Sequence, residues 1–381
     1  MSSRKLIRES YTVGWMTVLD PELEAARALL DEEHESLEPE VNDDSLYILG
    51  RMGKHNVVIA CSHTRGTHYA SRTITNMQRS FPKIQFGLMV GVGAGVPKIP
   101  SHPKDPRKDI RLGDVVVSEP QGNDGGVFQY DMGKHWDNRD FQVLSHMNKP
   151  PAVLLKAVKV LRSDHRFRKS KMQEYIYEAA ERLKSDESED VKYPGASRDL
   201  LFSSEYRHVS GDGCNDCDME QTVHRIPRRS SDPVIHYGLI ASGNAVIRSA
   251  EFRNKLRDSQ GVLCFDMEAA GLMNAFPCIV IRGISNYADS HKDDEWQSYA
   301  ALVAAAYAKD LLRVVPPADV NHTEDALRTL GLLDGHRPWP FSQAEYSGLL
   351  RIRSDERRHD ESDITRETTI NGAPMARSYQ L

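Results

Sequence analysis

Long apolar runs are missing from this 381-residue chain. No segment approaches ~18 consecutive apolar residues, so no transmembrane helix is expected. The N-terminus, MSSRKLIRESYTVGW, is polar and lacks the apolar stretch of a secretory signal. A basic excess is missing too: 49 Lys and Arg stand against 55 Asp and Glu, for a net charge of −6. That removes any general attraction to nucleic acid or to an anionic membrane, and neither is expected as a partner. The one dense basic cluster, HRIPRRS at 224–230, reads as a solvated loop. Cysteine is scarce and odd in number. Cys61, Cys214, Cys217, Cys264 and Cys278 include three inside apolar runs, which suits reduced thiols in an intracellular protein, cytoplasmic or nuclear. The glycosylation triplet Asn321-His322-Thr323 then carries no weight, and no internal repeat is present.

What is there is an ordinary globular balance, with 39% hydrophobic and 27% charged residues, enough for a sizeable core. A first strand is expected at YTVGWMTVL (11–19), running into a helix with Asp20 as N-cap and Pro21 at the first helical position. Strand-length apolar runs follow at 45–50, 55–62, 86–96 and 112–120, with helical patterns at 69–81 and 151–162. From about 163 to 232 the pattern thins into a charged, partly helical insertion. It resumes with VIHYGLIASG (234–243), GVLCFDMEAAGLMNAF (261–276), PCIVIRGIS (277–285) and a helix at 296–315. Alternating strands and helices argue for an α/β layered domain over residues 10–315. PPADV (316–320) breaks the pattern, and 316–381 reads as a largely poorly ordered tail.

Three stretches could carry chemistry. Gly91-Val92-Gly93-Ala94-Gly95 ends an apolar strand, yet it is not a dinucleotide-binding turn. The following PKIPSHPKDPRK has four prolines where that fingerprint opens into a helix. Its glycines still permit close approach of a ligand to backbone amides. In FDMEAAG (265–271), acidic residues interrupt a strand just before small residues. Glu268 there can accept two hydrogen bonds from vicinal hydroxyls, and Met267 offers a soft apolar floor; a plain helix-start carboxylate is the simpler reading. Finally, a buried strand delivers Ser285 and Asn286 to its exposed end.

Together these stretches resemble the superfamily of purine nucleoside phosphorylases, uridine phosphorylases and methylthioadenosine/adenosylhomocysteine nucleosidases. They are most similar to its fungal branch, found in ankyrin- and NACHT-containing proteins. The carriers include VGWMTVLDPELEAARALLDEEHE, GLMVGVGAGVP, DIRLGDVVVSEP, HYGLIASGN and CFDMEAAGLMNAFPCIVIRGISNYADSHK, in family order. The resemblance implies a three-layer α/β/α fold around a mixed, partly closed sheet, in a homo-oligomer. It puts Met267 and Glu268 at the ribose and lines the base pocket with Phe265 and Val246. Gly91, Val92 and Gly93 form the strand-end loop. Glu22 falls where the nucleosidases keep the glutamate that activates a water.

Two positions depart from the family pattern. Phosphorylases place a phosphate-holding serine where this chain has Val92, whose isopropyl group donates no hydrogen bond. Arg65 and Arg72 are the nearby cations that could compensate. After Ser285, nucleosidases carry an aspartate that protonates the leaving purine; here the residue is Asn286, which donates a hydrogen bond but transfers no proton. Asp289 could supply the acid only if the loop were rearranged.

The expected function is an N-glycosidase that cleaves a purine ribonucleoside or derivative by water attack. Glu22 would be the base, Glu268 the sugar clamp and Asn286 the contact to the departing base. A phosphorolytic enzyme using phosphate and a catalytically weak nucleoside-binding or sensing domain are the alternatives. A small-molecule nucleoside or nucleotide is the expected partner, with no cofactor. Cys214-Asn215-Asp216-Cys217 with His208 and His224 offers four soft ligands, but the spacings match no standard zinc pattern and the reading taken is plain loop cysteines, with no metal.

Overall fold

A computed structural model describes residues 4–98, 106–122, 124–137, 139–144, 147–184, 191–211 and 213–317; the expected tail lies outside these residues from 318 onward. Strand β1 (Val13–Thr17) leads into α1 (Asp20–Ala28), the short β2 (Glu32–Glu33) and the hairpin of β3 (Tyr47–Met52) and β4 (His55–Cys61). Helix α2 (Thr67–Ser80) precedes the long β5 (Phe86–Gly95), followed by β6 (Val115–Ser118) and β7 (Val127–Gln129). A separate ladder of β8 (Gly133–Trp136) and β9 (Arg139–Val143) comes before α3 (Ala152–Arg166) and α4 (Met172–Leu183). Then β10 (Ile235–Gly238) runs through Leu239 into β11 (Ile240–Ser242). The last elements are α5 (Ala250–Gln260), β12 (Cys264–Asp266), α6 (Ala269–Leu272), β13 (Cys278–Asn286) and α7 (Gln297–Val314).

Eleven of these strands form one mixed sheet whose main path is β10-β6-β13-β5-β1-β4-β3-β2. The central pairs β13–β5, β5–β1 and β1–β4 are parallel, while β13–β6 and β3–β4 are antiparallel. Being central, β1 and β13 are buried at every position, which is why both read as continuous apolar runs. The last residues of β5 pair with β12, β12 pairs with β11, and β11 continues β10, the far edge of the main path. The sheet thus curls back on itself at the end of β5 and is partly closed, as the resemblance implies. Every candidate strand end is brought to that closure.

Helices cover both faces. Helix α7 is alanine-rich and buried on all sides from Tyr299 to Leu312. It rests against β13 and β5 on one side and against α1, α3 and α4 on the other. The charged insertion therefore contributes to the core, because α4 buries Met172 and Ala179 in that layer. Helices α2 and α6 pack together on the opposite face. Polar pins lock α7 in place: His55 Nε2 donates to Leu312 O and Val315 O at 3.1 and 3.0 Å, and Lys309 Nζ donates to Leu29 O at 2.8 Å.

Two local expectations are corrected. Asp20 is not the N-cap of α1: Leu19 is, so Asp20 takes the first helical position and Pro21 the second. The Leu19 N–H is satisfied by Glu22, so the helix start is built around the candidate base. The 234–243 block is two strands joined at Leu239, each with different neighbours. Among the described residues no helix is long and apolar enough to cross a membrane.

Candidate active site

The turn from β1 into α1 holds Glu22 in one orientation. Its Oε2 accepts the Val18 and Leu19 N–H groups at 2.8 and 3.1 Å, and its Oε1 accepts the Val92 N–H at 2.7 Å. A carboxylate has about four lone-pair sites, so one remains on Oε1 for a further donor such as water. Gly91 makes this possible. A Cβ on Gly91 would stand 2.3 Å from Glu22 Oε1 and 2.8 Å from Arg282 Nη1. The glycine gives room to protein side chains, and it is not among the residues that line the cavity.

Opposite Gly91 in the β5–β13 register is Arg282, a fully buried cation in the middle of an apolar strand. Its Nη2 donates to Asp266 Oδ2 at 2.5 Å and to Glu268 Oε2 at 3.2 Å, and its Nη1 donates to Val92 O at 3.3 Å. The arginine thus joins the ends of β5 and β12 and orients Glu268. The other Glu268 oxygen accepts the Gly66 N–H at 3.4 Å. Burial pushes the Glu268 carboxyl up to about 7; Arg282 opposes this, while Asp266 and Glu22 reinforce it. Arg282 and Asp266 have no place in the sequence-based set. The signal for the arginine was its charge within PCIVIRGIS, an otherwise apolar run.

At the end of β13, Asn286 Nδ2 donates to Ser285 Oγ at 3.2 Å and Asn286 Oδ1 accepts the Ala288 N–H at 3.1 Å. That backbone N–H fixes which way the amide points. The facing wall is the loop after β11. Asn244 anchors it: its N–H donates to Asp131 Oδ2 at 2.8 Å, and its Oδ1 accepts the Thr67 N–H at 3.1 Å. Tyr130 donates to Ala245 O at 2.9 Å and meets the Phe265 ring edge-on at 5.8 Å.

These residues surround one cleft. Glu22, Val92, Gly93, Val246, Phe265, Met267, Glu268, Ser285 and Asn286 all line it, so of the sequence-based set only Gly91 stands behind the wall. The cleft encloses about 640 Å³ with the solvent at its open mouth included. Of the two nearby arginines, Arg65 lines the cleft and, among the described residues, has no partner, whereas Arg72 lies elsewhere, paired with Asp44. Asp289 does not face this cleft either. It is tied to Arg253 Nη1 at 3.2 Å and to the His291 N–H at 3.0 Å. Chemically, the cleft offers one carboxylate with a free lone pair, a second held by a buried arginine, and an amide donor between apolar walls.

Residues 12–316 match the phosphorylase superfamily. The chain is 44% identical over 313 residues to a nucleotide-binding leucine-rich repeat (NLR)-like protein of Hyaloscypha variabilis, covering 82% of this chain and 30% of that one. It is also similar to the ATP nucleosidase Cap17 of Escherichia coli, 34% identical over 86 residues, 21% of this chain and 17% of that one. The chain therefore spans under a third of the length of these relatives. Among solved structures, the 5′-methylthioadenosine/S-adenosylhomocysteine nucleosidase of Helicobacter pylori superposes with a TM-score of 0.50 at 16% identity, covering 80% of this chain and 98% of that one. Futalosine hydrolase of the same organism gives 0.50 at 16%, covering 80% and 97%. The chain shares its overall fold with these enzymes and belongs to the phosphorylase superfamily.

Proposed function

We propose that this domain is an N-glycosidase acting on a purine ribonucleoside or a 5′-derivative of one. The observation that carries this reading is that Glu22 and Glu268 face the same cleft with Asn286 beside them. Glu268 accepts the ribose hydroxyls. Glu22 Oε1 takes a proton from the attacking water, whose oxygen bonds to the anomeric carbon as the carbon–nitrogen bond breaks. The electron pair leaves with the base, Asn286 Nδ2 hydrogen-bonds it, and solvent supplies its proton. Positioning and transition-state electrostatics carry the rate when no acid is in place.

Water is favoured over phosphate because Val92 offers no side-chain donor and, of the two nearby arginines, Arg72 is paired with Asp44, which leaves Arg65 alone at the cleft. The names of the relatives, an ATP nucleosidase and methylthioadenosine nucleosidases, support a purine ribonucleoside with a variable 5′-substituent. Arg65 at the same cleft argues for including nucleoside 5′-phosphates as substrates, whereas Lys292 is paired with Asp294 at 3.2 Å. A nucleoside-binding domain is the second reading, favoured by Asn286 in place of a proton donor.

The test is to incubate purified protein with nucleosides and nucleoside 5′-phosphates, with and without phosphate, and to identify the sugar product. Free base with ribose or ribose 5′-phosphates, independent of phosphate, is expected. Sugar 1-phosphate formed only with phosphate would replace hydrolysis by phosphorolysis. Saturable binding without any product would establish the binding domain.

A further inference from the structure

A second cluster of reactive side chains lies where two loops cross: residues 206–217 of the insertion, and the segment after β13. His208, Cys214 and Cys217 each bring one donor atom, and these atoms all lie within 4.8 Å of one another. The two cysteines flank a single turn in which the Cys217 N–H donates to Cys214 O at 3.2 Å, and both thiols are free. His208 Nε2 is 3.1 Å from Gly213 O. A carbonyl only accepts, so Nε2 carries the proton and Nδ1 keeps its lone pair. Ligating histidines are commonly held in this way, with the second nitrogen on a backbone carbonyl.

The other loop brings an independent observation. The His291 side chain is 5% exposed; its Nδ1 lies 3.7 Å from Asp289 Oδ1, too far for a hydrogen bond, and neither ring nitrogen has a hydrogen-bond partner among the described residues. With Nδ1 turned to the Asp289 carboxylate, a side chain shut away with Nε2 unanswered is costly. Its ring is stacked on Phe202 at 4.0 Å and lies 5.6 Å from the His208 ring. His208, Cys214 and His291 line one cavity together with Asp289 and Asp293. The loops are already joined, since the His208 N–H donates to Ser290 Oγ at 3.0 Å.

We infer that His208, Cys214, Cys217 and His291 form a structural zinc site. The ion displaces one proton from each thiol, and the two thiolates balance its charge. Two sulfurs and two imidazole nitrogens complete the tetrahedral set typical of closed zinc sites. Neither His224, the other histidine flanking the C-x₂-C pair, nor His291 is among the three residues whose donors lie within 4.8 Å; His291 is taken as the fourth ligand because it shares a cavity with His208 and Cys214, and His224 does not. The pairing of a cysteine turn with a histidine from a distant strand exit is a spacing no local motif reveals. The metal would clip the insertion to the segment that also carries Asn286.

The experiment uses the full chain. Zinc content is measured after purification without chelator; the chelator-treated chain is then titrated with zinc against a chromophoric indicator and, separately, with cobalt. Expected are one zinc per chain, a thiolate-to-cobalt charge-transfer band, and proton release on binding. Cys214→Ser and Cys217→Ser should each lose stoichiometric binding, and His291→Ala should lose the tetrahedral cobalt spectrum. A wild-type chain that takes up no zinc in the titration overturns the site, and this arm is independent of whether any variant folds. So does a double variant, Cys214→Ser with Cys217→Ser, that holds zinc as tightly as wild type.

Discussion

The Asn286 amide commits its oxygen to the Ala288 N–H and one N–H to Ser285 Oγ, which leaves one N–H for the cleft. An aspartate in the same rotamer would accept the Ala288 N–H with one oxygen and present the other, protonated, to the leaving base. In Asn286→Asp, hydrolysis of 6-aminopurine nucleosides should therefore rise, by up to the ~10²–10⁴ expected of a general acid. The gain should be greatest at mildly acidic pH, where the new carboxyl holds its proton; initial rates of base release against pH measure it. No gain, in a variant that still binds nucleoside, would mean that proton donation at this position does not limit the rate. Glu268 gives a second residue-scale test. Its carboxyl is raised from 4.5 to about 7 by burial. A raised carboxyl contributes stability that is fully present below about 4.5 and is lost as pH rises through about 7. Vicinal hydroxyls need the carboxylate form, so nucleoside affinity should strengthen as pH rises through about 7, with proton release. Calorimetric titration at several pH values should show this in the wild type, and Glu268→Gln should flatten it.

At the scale of elements, the seam between β13 and α7 is a very close backbone approach. A Cβ on Gly283 would lie 1.9 Å from Ala300 O, a backbone atom inside a helix buried on all sides. Gly283→Ala must therefore push α7 away from the sheet. A loss of about 1–3 kcal/mol or more is expected, read as a lowered melting temperature; an unchanged melt would mean that α7 is less tightly seated. The strands beneath this seam were legible because buried central strands are continuously apolar. Helix α5 was not: Arg253 is its one buried side chain, so it carries no apolar stripe for a periodicity to detect. Strands β7 and β11 are three residues each and owe their state to pairing with distant neighbours rather than to local preference. In the site, the side chains at strand ends could be read from motifs. The Arg282 network could not, because the register that sets Arg282 across from Gly91 exists only in the folded sheet.

At the scale of the whole molecule, the match at 12–316 ends beside the last pins of α7, where His55 holds Val315 O. A chain ended after Pro317 keeps those bonds. It is expected to melt cooperatively within a few degrees of the full chain; loss of solubility or of cooperativity would show that later residues belong to the fold. The central claim is that Glu22 delivers water to a sugar held by Glu268, and it is tested most directly by base release in phosphate-free buffer, compared between wild type and Glu22→Gln. The glutamine keeps an oxygen for the Val18 and Leu19 N–H groups, loses the acceptor for the Val92 N–H, and removes the base. Wild type should release base and free sugar, and Glu22→Gln should fall by about 10²–10⁴-fold with nucleoside affinity retained. Equal rates in the two proteins, or no release by the wild type from any purine nucleoside or nucleotide, would contradict the account.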